Sequence, residues 1–402
     1  MRPFTSTIPL EEARRRLSAA VREIDRTERV PLDEAAGRVA ASNVRSSIDV
    51  PPFERSLMDG YAVAAADTAG ASRTSPARLR IVDRIYSGHI SSTAISGGQC
   101  AEIATGAPMP EGADAVVMVE DTAKDSDGGV AILRAATAGQ NIGRRGADIT
   151  EGAVVVSSGD VLTAGRVGSL AAIGAGDVDV FARPRVAVLS TGNEVAEPGR
   201  VLAPGQIYDV NRFTLAAIVR AHGGVPEAHH AVHDSIDALT GALNDCRGAD
   251  LLVFSGGSSV GERDLIMDLV AARGEMIFHG ISIKPGKPTA FALVDGRPFF
   301  GMPGNPTSCL SNAYILLLPY LRAMARLPPF RPHTLRVPLG RRIESAVKRH
   351  QIYTVRVRDG VAYPAFKGSG DITSLSNADG YIEIGEEESM VEEGAEVVVT
   401  LF

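Results

Sequence analysis

The sequence predicts a multidomain protein with α/β and all-β parts. We expect a three-layer α/β domain, an elongated discontinuous domain, an inserted small β domain and a C-terminal β domain. The length of 402 residues is enough for two to three domains or more. After residue 185, short apolar runs alternate with helical runs, which is typical of a mostly parallel sheet with helices on both faces. Before that point, short β-type runs are separated by Gly, Pro, Ser and Asp clusters.

We place the domain boundaries where the character of the chain changes. The α/β domain is predicted to combine residues 1–24 and 181–326, and the elongated linking domain residues 25–50 and 141–180. The inserted β domain is residues 51–140, and the C-terminal β domain is residues 327–402. The segments on either side of the inserted module are too short to bury separate cores, so we expect them to form one discontinuous domain.

The composition excludes several classes of protein. A hydrophobic content of 45% and a charged content of 22% are typical of a globular protein. The net charge of −7 argues against a nucleic-acid or acidic-membrane partner, so an anion site must be a local pocket. Three cysteines without a C-x-x-C pair exclude a disulfide framework and a cysteine-rich zinc site. The N-terminus lacks the apolar run of a signal peptide, which predicts a cytoplasmic protein.

The first helix is predicted near the N-terminus, with Thr7 as its cap and Pro9 at its first helical position. A second short helical run is expected from Asp33. Strands of the inserted module are predicted over residues 79–85, 115–119 and 130–133. In the α/β region we predict strands over 186–189, 251–254, 276–278, 289–293 and 298–300, and a long helix over 307–324. C-terminal strands are expected over 335–338, 353–357 and 397–402.

Glycine-bearing loops follow the predicted strands of the α/β region. They are Ser190–Glu194, Ser255–Gly257, Lys284–Pro288 and Pro303–Pro306. Ligands of open α/β sheets bind beyond the carboxyl ends of the strands, where such turns let a substrate approach the backbone. Helix N-termini and the two ammonium groups of Lys284 and Lys287 favour an anion. The loops together predict an anionic, phosphorylated ligand.

Carboxylates lie in the same loops and in the first half of the chain. They are Asp209, Asp264, Asp59 and Asp148. A phosphate site with carboxylates and without a Cys or His cluster suits Mg²⁺, which prefers oxygen ligands. Aspartate also caps helices and fills turns in any protein, so each of these residues taken singly has a structural alternative.

Several histidine, cysteine and arginine residues could be assigned to a metal or catalytic site, but they also have a structural interpretation. His229, His230 and His233 have metal-like spacing but no HExxH arrangement, which favours surface or packing roles. Cys309 is predicted in a first helical turn, but no histidine is evidently paired with it, which favours packing over nucleophilic catalysis. Arg144 and Arg145 are either a solvated pair or face an oxyanion.

The motifs taken together resemble those of one family. They are PPFERSLMDGYAV, TGAPMPEGADAVV, IGRRGADI, STGNEV, GQIYDVNR, SGGSSVGERD, IKPGKPTAFA and GMPGNPTS. They occur in the order found in the molybdopterin molybdenumtransferases, which are the MoeA proteins and the E domain of gephyrin. The resemblance extends to the KGSGDITSLSNADGYI stretch and so covers nearly the whole chain.

The resemblance implies an elongated homodimer of four-domain subunits in which the α/β domain binds molybdopterin. The substrates would be adenylylated molybdopterin and molybdate, and Mg²⁺ would assist as the reaction places molybdenum on the dithiolene and releases AMP. The active cleft would also use residues of the partner subunit. Contacts with a molybdopterin adenylyltransferase or with an apo-molybdoenzyme would be further partners.

The resemblance also implies roles for individual residues. The expected catalytic residues are Asp59, Thr105, Asp148, Asp209, Asp264, Lys284 and Lys287, and the expected Mg²⁺ ligands are Asp209 and Asp264. The expected substrate-binding residues are Thr191, Gly192, Glu194, Ser255, Gly256, Gly257, Pro288, Pro303, Gly304, Asn305, Pro306, Ser308 and Ser369.

The sequence departs from the family pattern at two positions. Many relatives have a lysine where Gly280 stands here beside His279, and many have an arginine where Thr354 stands. Each change removes a positive charge from the expected oxyanion path.

Two other functions stay open at this point. A molybdopterin adenylyltransferase needs only the α/β unit, whereas Asp59, Thr105 and Asp148 belong to additional domains. A scaffold or oxyanion-binding protein is the alternative that is not an enzyme.

Overall fold

A computed structural model of the chain describes residues 7–125, 127–229, 235–256, 265–345 and 348–402. The α-helices of these residues are α1 (Leu10–Ala19), α2 (Ala164–Ala172), α3 (Asn211–Ala221), α4 (Ile236–Asp245), α5 (Leu265–Arg273), α6 (Pro306–Asn312), α7 (Leu318–Met324) and α8 (Thr373–Ser376). A π-helical turn, Ala313–Leu317, joins α6 to α7. Short 3₁₀ turns are Leu32–Glu34, Ala65–Thr68 and Val119–Asp121.

The strands from the N-terminus to residue 181 are β1 (Thr27–Pro31), β2 (Val44–Arg45), β3 (Arg55–Ser56), β4 (Gly60–Val63), β5 (Ala77–Ile85), β6 (Gln99–Ile103), β7 (Ala115–Met118), β8 (Thr122–Lys124), β9 (Gly129–Ile132), β10 (Ile142–Gly143), β11 (Val154–Val156) and β12 (Asp177–Phe181). Those of the α/β region are β13 (Arg185–Ser190), β14 (Val195–Ala196), β15 (Ile207–Tyr208), β16 (Val225–Ala228), β17 (Leu251–Ser255), β18 (Gly274–His279), β19 (Ile283–Lys284), β20 (Ala290–Val294) and β21 (Arg297–Met302). The C-terminal strands are β22 (Thr334–Pro338), β23 (Ile343–Glu344), β24 (His350–Arg358), β25 (Val361–Pro364), β26 (Gly380–Ile384), β27 (Met390–Val391) and β28 (Glu396–Leu401).

The chain forms two compact units. Unit 1 comprises Met1–Glu28 and Phe181–Phe402, and unit 2 comprises Arg29–Val180. Helix α1 therefore lies in the same unit as the α/β region. The finer division into four domains stays a prediction.

Unit 1 contains a six-stranded sheet in the order β16-β13-β17-β21-β20-β18. The first four strands are parallel, and β20 and β18 run antiparallel to their neighbours. Alternate residues of β13 pack on opposite sides: Val186 and Val188 lie in one core, and Ala187 and Leu189 in the other. Helices α1, α3 and the α6–α7 run cover the first face, and α4 and α5 the second. This burial on both faces explains why the strands read as continuous apolar runs.

The C-terminal residues of unit 1 form a second sheet, in the order β19-β24-β26-β28-β22, with β25 beside β24. Strand β19 comes from the α/β region, and it pairs in parallel with β24 through Ile283 and His350 and through Lys284 and Gln351. The C-terminal strands thus hold a segment that the sequence assigns to the α/β domain.

Unit 2 contains a six-stranded sheet in the order β7-β4-β6-β5-β9-β8. The pairs β3 with β10 and β2 with β11 lie outside this sheet, and so does the pair β1 with β12. The strands predicted over 79–85, 115–119 and 130–133 are present as β5, β7 and β9, each shifted by one or two residues.

Two local predictions near the N-terminus are wrong. Pro9 occupies the N-cap of α1 instead of the first helical position, and no side chain caps this helix, because the Thr7 hydroxyl lies 3.2 Å from that of Ser282. The helical run expected from Asp33 is a single 3₁₀ turn that ends at Glu34. Gly37 follows with φ at 76°, a left-handed conformation that ends helices.

Within the residues that the structure describes, none of the helices has the length and apolar character that crossing a bilayer requires.

Candidate functional site

Three neighbouring parallel strands of unit 1 bring their following loops together. The N–H of Thr191 donates to the carbonyl of Ser255 over 2.8 Å, and the N–H of Gly256 donates to the carbonyl of Met302 over 3.2 Å. We call residues 190–192, 255–256 and 303–306 the rim. The strand register aligns Ser190 with Ser255, and Ser255 with Met302, so all three loops leave the sheet at the same level. The convergence predicted for these loops is therefore present in the described residues.

Glycine is required where the rim is most crowded. A Cβ added to Gly256 would lie 2.3 Å from the Thr191 carbonyl oxygen, and the φ of Gly256 is +95°. A side chain there would displace the backbone of the neighbouring loop, since L-residues rarely adopt this conformation. Gly304 faces Gly256 across the rim, and its carbonyl accepts from Nδ2 of Asn211 over 2.8 Å.

Two buried polar atoms beside the rim lack a hydrogen-bond partner among the described residues. They are Oγ1 of Thr191, which is 5% exposed, and Oδ1 of Asn211, which is 7% exposed. Buried polar groups are nearly always satisfied, so such atoms mark a place where a ligand or water completes the structure. Asn211 was not among the residues expected from the sequence. It lies in the GQIYDVNR motif, two residues after Asp209, and that position was the available signal.

Asp209 lies in a buried polar network. Its Oδ1 accepts from the Ser190 hydroxyl over 2.8 Å and from the Arg212 N–H over 3.1 Å. Its Oδ2 accepts from Nε of Arg212 over 3.2 Å, and the guanidinium of Arg212 also pairs with Glu197. The side chains of Asp209 and Arg212 are only 1% and 7% exposed. The network fixes the start of α3 against β13.

The last loop of the rim is held by a loop of the C-terminal strands. Asn305 donates from Nδ2 to Oγ of Ser369 over 3.0 Å, and the N–H of Thr307 donates to the Ser369 carbonyl over 3.0 Å. The Thr307 hydroxyl donates to the carbonyl of Asp371 over 2.7 Å. Ser308 in the same helical turn is 3% exposed. Ser369 therefore lies beside Asn305 at this edge of the sheet.

The two predicted lysines lie on a separate loop, residues 284–289, which we call the lysine loop. Its first residue, Lys284, is half-buried, and no carboxylate of the described residues pairs with it. The Lys287 carbonyl accepts from the Ile281 N–H over 2.9 Å, which closes the loop. Pro288 is half-buried as well. The lysine loop is joined to the rim through helix α6, which begins at Pro306 and reaches the loop at Asn312.

Three motif loops of unit 2 are also brought together. The carboxylate of Asp59 accepts from the N–H of Thr105 over 2.8 Å. Strand β3, three residues before Asp59, pairs with β10 of the segment that leads to Asp148. The side chains of Asp59, Thr105 and Asp148 are all exposed. The structure thus places Asp59 and Thr105 together as neighbours in unit 2.

Large apolar side chains are exposed beside this group. Phe53 is 43%, Leu57 is 46% and Met58 is 40% exposed, all in the segment that leads to Asp59. Exposed apolar clusters that are bordered by polar residues are typical of interaction sites.

Other predicted residues lie outside the rim or outside the described residues. Gly257, Asp264, His230 and His233 belong to the second group, and Glu194 is exposed at the end of the loop that begins with Thr191 and Gly192. Nε2 of His229 lies 3.4 Å from Sγ of Cys246, within hydrogen-bonding distance of the thiol. Cys309 is completely buried, and burial raises the pKa of its thiol, which argues for packing and against a nucleophile.

Both departures from the family pattern have a structural setting. Gly280 has φ at 94°, a conformation in which a lysine would be strained. Thr354 is 1% exposed and lies inside the C-terminal sheet between Tyr353 and Val355 of β24, and its Oγ1 has no partner in the described part of the chain. A long arginine side chain would need a different local packing at this position.

Comparisons with known proteins cover nearly the whole chain. Residues 8–174 match the model described as the MoeA N-terminal region (domain I and II), and residues 187–323 match the one described as a probable molybdopterin binding domain. Residues 336–402 match the MoeA C-terminal region (domain IV).

Individual relatives agree with these matches. The chain is 37% identical to molybdopterin molybdenumtransferase 2 of Mycobacterium tuberculosis, over 92% of this chain and 94% of the relative. It is 35% identical to the molybdopterin molybdenumtransferase of Haemophilus influenzae, over 78% of this chain and 77% of the relative. A crystal structure of a molybdopterin biosynthesis MoeA protein from Pyrococcus horikoshii superimposes with a TM-score of 0.85 at 38% identity, covering 98% of this chain and 99% of that one. These comparisons confirm the predicted fold class, and the chain belongs to the MoeA family of molybdopterin molybdenumtransferases, the transferases of molybdenum cofactor biosynthesis.

Proposed function

We propose that the chain inserts molybdenum from molybdate into adenylylated molybdopterin and releases AMP. In the net reaction, adenylylated molybdopterin, molybdate and protons give molybdenum-bearing molybdopterin, AMP and water. An oxygen of water or of molybdate takes the place of the broken phosphoanhydride bond on phosphorus as AMP leaves, and the two dithiolene sulfurs replace oxygens of molybdate, which are protonated and leave as water. The observation that carries the proposal is the rim, where three glycine-bearing loops leave Oγ1 of Thr191 and Oδ1 of Asn211 buried without a partner. The family membership sets the substrate class.

The rim is proposed to bind the pterin and its phosphates. Gly256 and Gly304 let the three loops pack closely, so their backbone groups lie together at the carboxyl ends of the strands, where a flat ligand or a phosphate can bind. Thr191 can donate its hydroxyl, and Oδ1 of Asn211 can accept from a ring N–H. Ser255 and Gly192 belong to the same loops, and the pair of Asn305 and Ser369 lies at the carboxyl end of β21.

The lysine loop is proposed to bind the oxyanion. Molybdate is a tetrahedral dianion, so its site needs donors and positive charge more than it needs a general base. Lys284 has no competing carboxylate among the described residues, and Lys287 adds a second ammonium group on the same loop. The hydroxyls of Ser308 and Ser369 are further candidate donors.

The fit of the residues to Mg²⁺ differs between the two expected ligands. Asp209 already accepts hydrogen bonds from Ser190 and Arg212, and it is paired with the Arg212 cation at 1% side-chain exposure. This geometry does not fit a resident divalent ion, since binding it would bring a second cation against a buried arginine. We therefore propose that Asp209 positions β13 and α3. Asp264, outside the described residues, and the phosphates of the substrate stay the proposed Mg²⁺ ligands.

We further propose that two copies of the chain share each active site. Asp59, Thr105 and Asp148 are exposed in unit 2, and the apolar side chains of Phe53, Leu57 and Met58 are exposed in the segment that leads to Asp59. Such a patch suits the surface of a second copy. Complementation tests this, with activity assayed at a molybdate concentration far below the half-saturation value of the Lys284→Ala variant. Equal amounts of Asp59→Ala and Lys284→Ala chains, unfolded and refolded together, should then regain about 25% of wild-type activity, since half of the dimers are mixed and each carries one intact site. If the mixture stays as inactive as each variant alone, the shared site is refuted.

The function itself is tested by following AMP release from adenylylated molybdopterin with molybdate and Mg²⁺. We expect AMP and a molybdenum-bearing pterin to form together. ATP-dependent adenylylation of molybdopterin would instead show an adenylyltransferase, and oxyanion or protein binding without either reaction would show a scaffold. Lys284→Ala should raise the molybdate concentration needed for half-saturation while pterin binding changes little. The matched control is Lys124→Ala, which removes an exposed lysine of unit 2.

A further inference from the structure

Asn312 is a completely buried polar residue at the last position of α6. Its Nδ2 donates to the carbonyl of Gly286 over 3.0 Å and to the hydroxyl of Thr289 over 2.5 Å. Its neighbours Cys309 and Ala313 are buried apolar residues of the core. From this buried position, the Asn312 amide contacts the middle of the lysine loop.

Asn312 packs closely against Gly286 and Thr289. Gly286 has φ at +100°, and a Cβ on it would lie 2.3 Å from Nδ2 of Asn312. The Thr289 hydroxyl donates to the same Gly286 carbonyl over 2.9 Å, so three residues form a closed set of hydrogen bonds. Oδ1 of Asn312 has no partner within the described residues. A buried acceptor without a partner is unfavourable, and an apolar residue would avoid it. The packing of the core alone thus gives no reason for an amide here.

The rest of the loop is held by backbone pairing. Lys284 lies in β19 opposite Gln351, and the N–H of Gly280 donates to the carbonyl of Thr289 over 2.9 Å. Gly286 lies between these two backbone pairings. Among the described residues outside the loop, Asn312 is the one that donates a hydrogen bond to the Gly286 carbonyl. Asn312 therefore adds a tie from the core of the domain to the backbone between Lys284 and Lys287, beside the bonds that Thr289 and Ile281 make to the loop.

Helix α6 connects this contact to the rim. The helix begins at Pro306, directly after Asn305, and Asn312 is six residues further along, or about 9 Å along the axis. The π-helical turn Ala313–Leu317 starts immediately after it and precedes Pro319, which has no N–H to donate to a regular helix. A single helical segment thus carries the rim at its first residue and the lysine loop at its last.

We propose that Asn312 is a positioning residue for the reaction: it fixes the lysine loop relative to the rim, so that the two ammonium groups face the oxyanion where the pterin presents its dithiolene. This inference rests on the proposed function, because it assumes that the lysine loop binds molybdate. Asn312 acts through Gly286 and need not touch the substrate itself.

The test is steady-state kinetics of AMP release at varied molybdate. Asn312→Ala removes the donor, and Asn312→Leu removes it while the space stays filled. Both should raise the KM for molybdate about tenfold, since a displaced loop loses oriented donors, while kcat at saturating molybdate and the Kd for the adenylylated pterin change less than about threefold. Ser311→Ala is the matched control, because Ser311 is the adjacent buried residue and its hydroxyl has no partner among the described residues. It should behave as wild type.

The Lys284→Ala variant distinguishes a failure of the proposed oxyanion site from a failure of the positioning role of Asn312. If Lys284→Ala leaves the KM for molybdate unchanged, the lysine loop does not bind the oxyanion, and the proposed oxyanion site fails together with this inference. If Lys284→Ala raises that KM and the Asn312 variants do not, or if they lower pterin binding and molybdate saturation equally, the positioning role of Asn312 alone is refuted. Should the Asn312 variants fail to fold, Gly286→Ala perturbs the same contact from the loop, and an unchanged molybdate KM there would also refute the role.

Discussion

Replacing Asp209 by Asn tests whether this residue positions the fold or binds Mg²⁺. The substitution keeps the size of the side chain and the acceptor for Ser190, but it turns an NH₂ group toward Nε of Arg212, where an oxygen now accepts over 3.2 Å. Arg212 is 7% exposed at its side chain and would keep Glu197 as its one remaining carboxylate partner in the network.

The magnitude follows from the burial of the pair. Removing one partner of a buried ion pair costs about 3–5 kcal/mol, and the retained contact with Glu197 places the expected loss near the lower value, about 3 kcal/mol. For a unit of the size of unit 1, such a loss lowers the melting temperature by about 6–12 °C. The charge control is Glu194→Gln, which neutralises an exposed carboxylate in a neighbouring loop and should shift melting by less than about 2 °C.

Scanning calorimetry and the Mg²⁺ dependence of AMP release together decide the question. We expect Asp209→Asn to melt early and, below its melting temperature, to need no more Mg²⁺ than wild type. A variant that melts like wild type but needs much more Mg²⁺ would refute the positioning role and establish Asp209 as a metal ligand.

Three further outcomes are expected. Gly256→Ala should lower activity at least about a hundredfold, because its Cβ would lie 2.3 Å from the Thr191 carbonyl oxygen. The control Gly241→Ala in α4, which has open space around it, should keep wild-type activity. Equal activities of the two variants would show that the rim does not require glycine at position 256. Burial raises the pKa of Cys100 to about 12 and that of Cys246 to about 11, and it also raises the pKa of Cys309. A thiol reagent at about pH 8 should therefore label fewer than about 0.1 thiols per folded chain, because the reagent reacts with the thiolate. Rapid labelling of the folded chain would contradict this burial. The hydrogen bond from the Glu151 N–H, and then that from Arg145, lower the pKa of Asp49. The contribution of the Asp49 carboxylate to the stability of the fold should therefore be complete above about pH 4 and be lost as the pH falls through the lowered pKa. The difference in melting temperature between wild type and Asp49→Asn should shrink below that pH, and a difference that grows on acidification would contradict this direction.

Much of the fold is readable from local patterns. The strands Arg185–Ser190 and Leu251–Ser255 appear as continuous apolar runs because both faces of their sheet are covered by helices. The glycine loops after them lie at neighbouring carboxyl ends, because parallel strands in register place their ends side by side. These two features sufficed to predict the position of the rim.

Contacts between distant segments were not readable in the same way. The sequence predicts Thr7 as the cap of α1, but its hydroxyl lies 3.2 Å from that of Ser282, which is 275 residues further along the chain. Lys284 belongs to a strand that is completed by Gln351 of the C-terminal sheet, a pairing that no local pattern indicates. Asn312 appears in the sequence as one polar residue in a helical run, and only its partner Gly286, 26 residues earlier, gives it a role.

Part of the Asp209 network was accessible from spacing. Arg212 follows Asp209 by three residues, a separation at which a capping carboxylate meets the first turn of a helix. Glu197 and Ser190 come from a different strand and loop, so the sequence alone could not show that the Asp209 carboxylate is already occupied.

In the proposed site, the lysine loop binds the oxyanion beside the pterin, which is bound by the rim. Anomalous diffraction from crystals soaked with molybdate or tungstate, with AMP present, tests it most directly. We predict an anomalous peak within hydrogen-bonding distance of Lys284 or Lys287 in wild-type crystals and its loss in Lys284→Ala crystals. A strong peak elsewhere on the chain, with the lysine loop empty at saturating anion, would contradict the account.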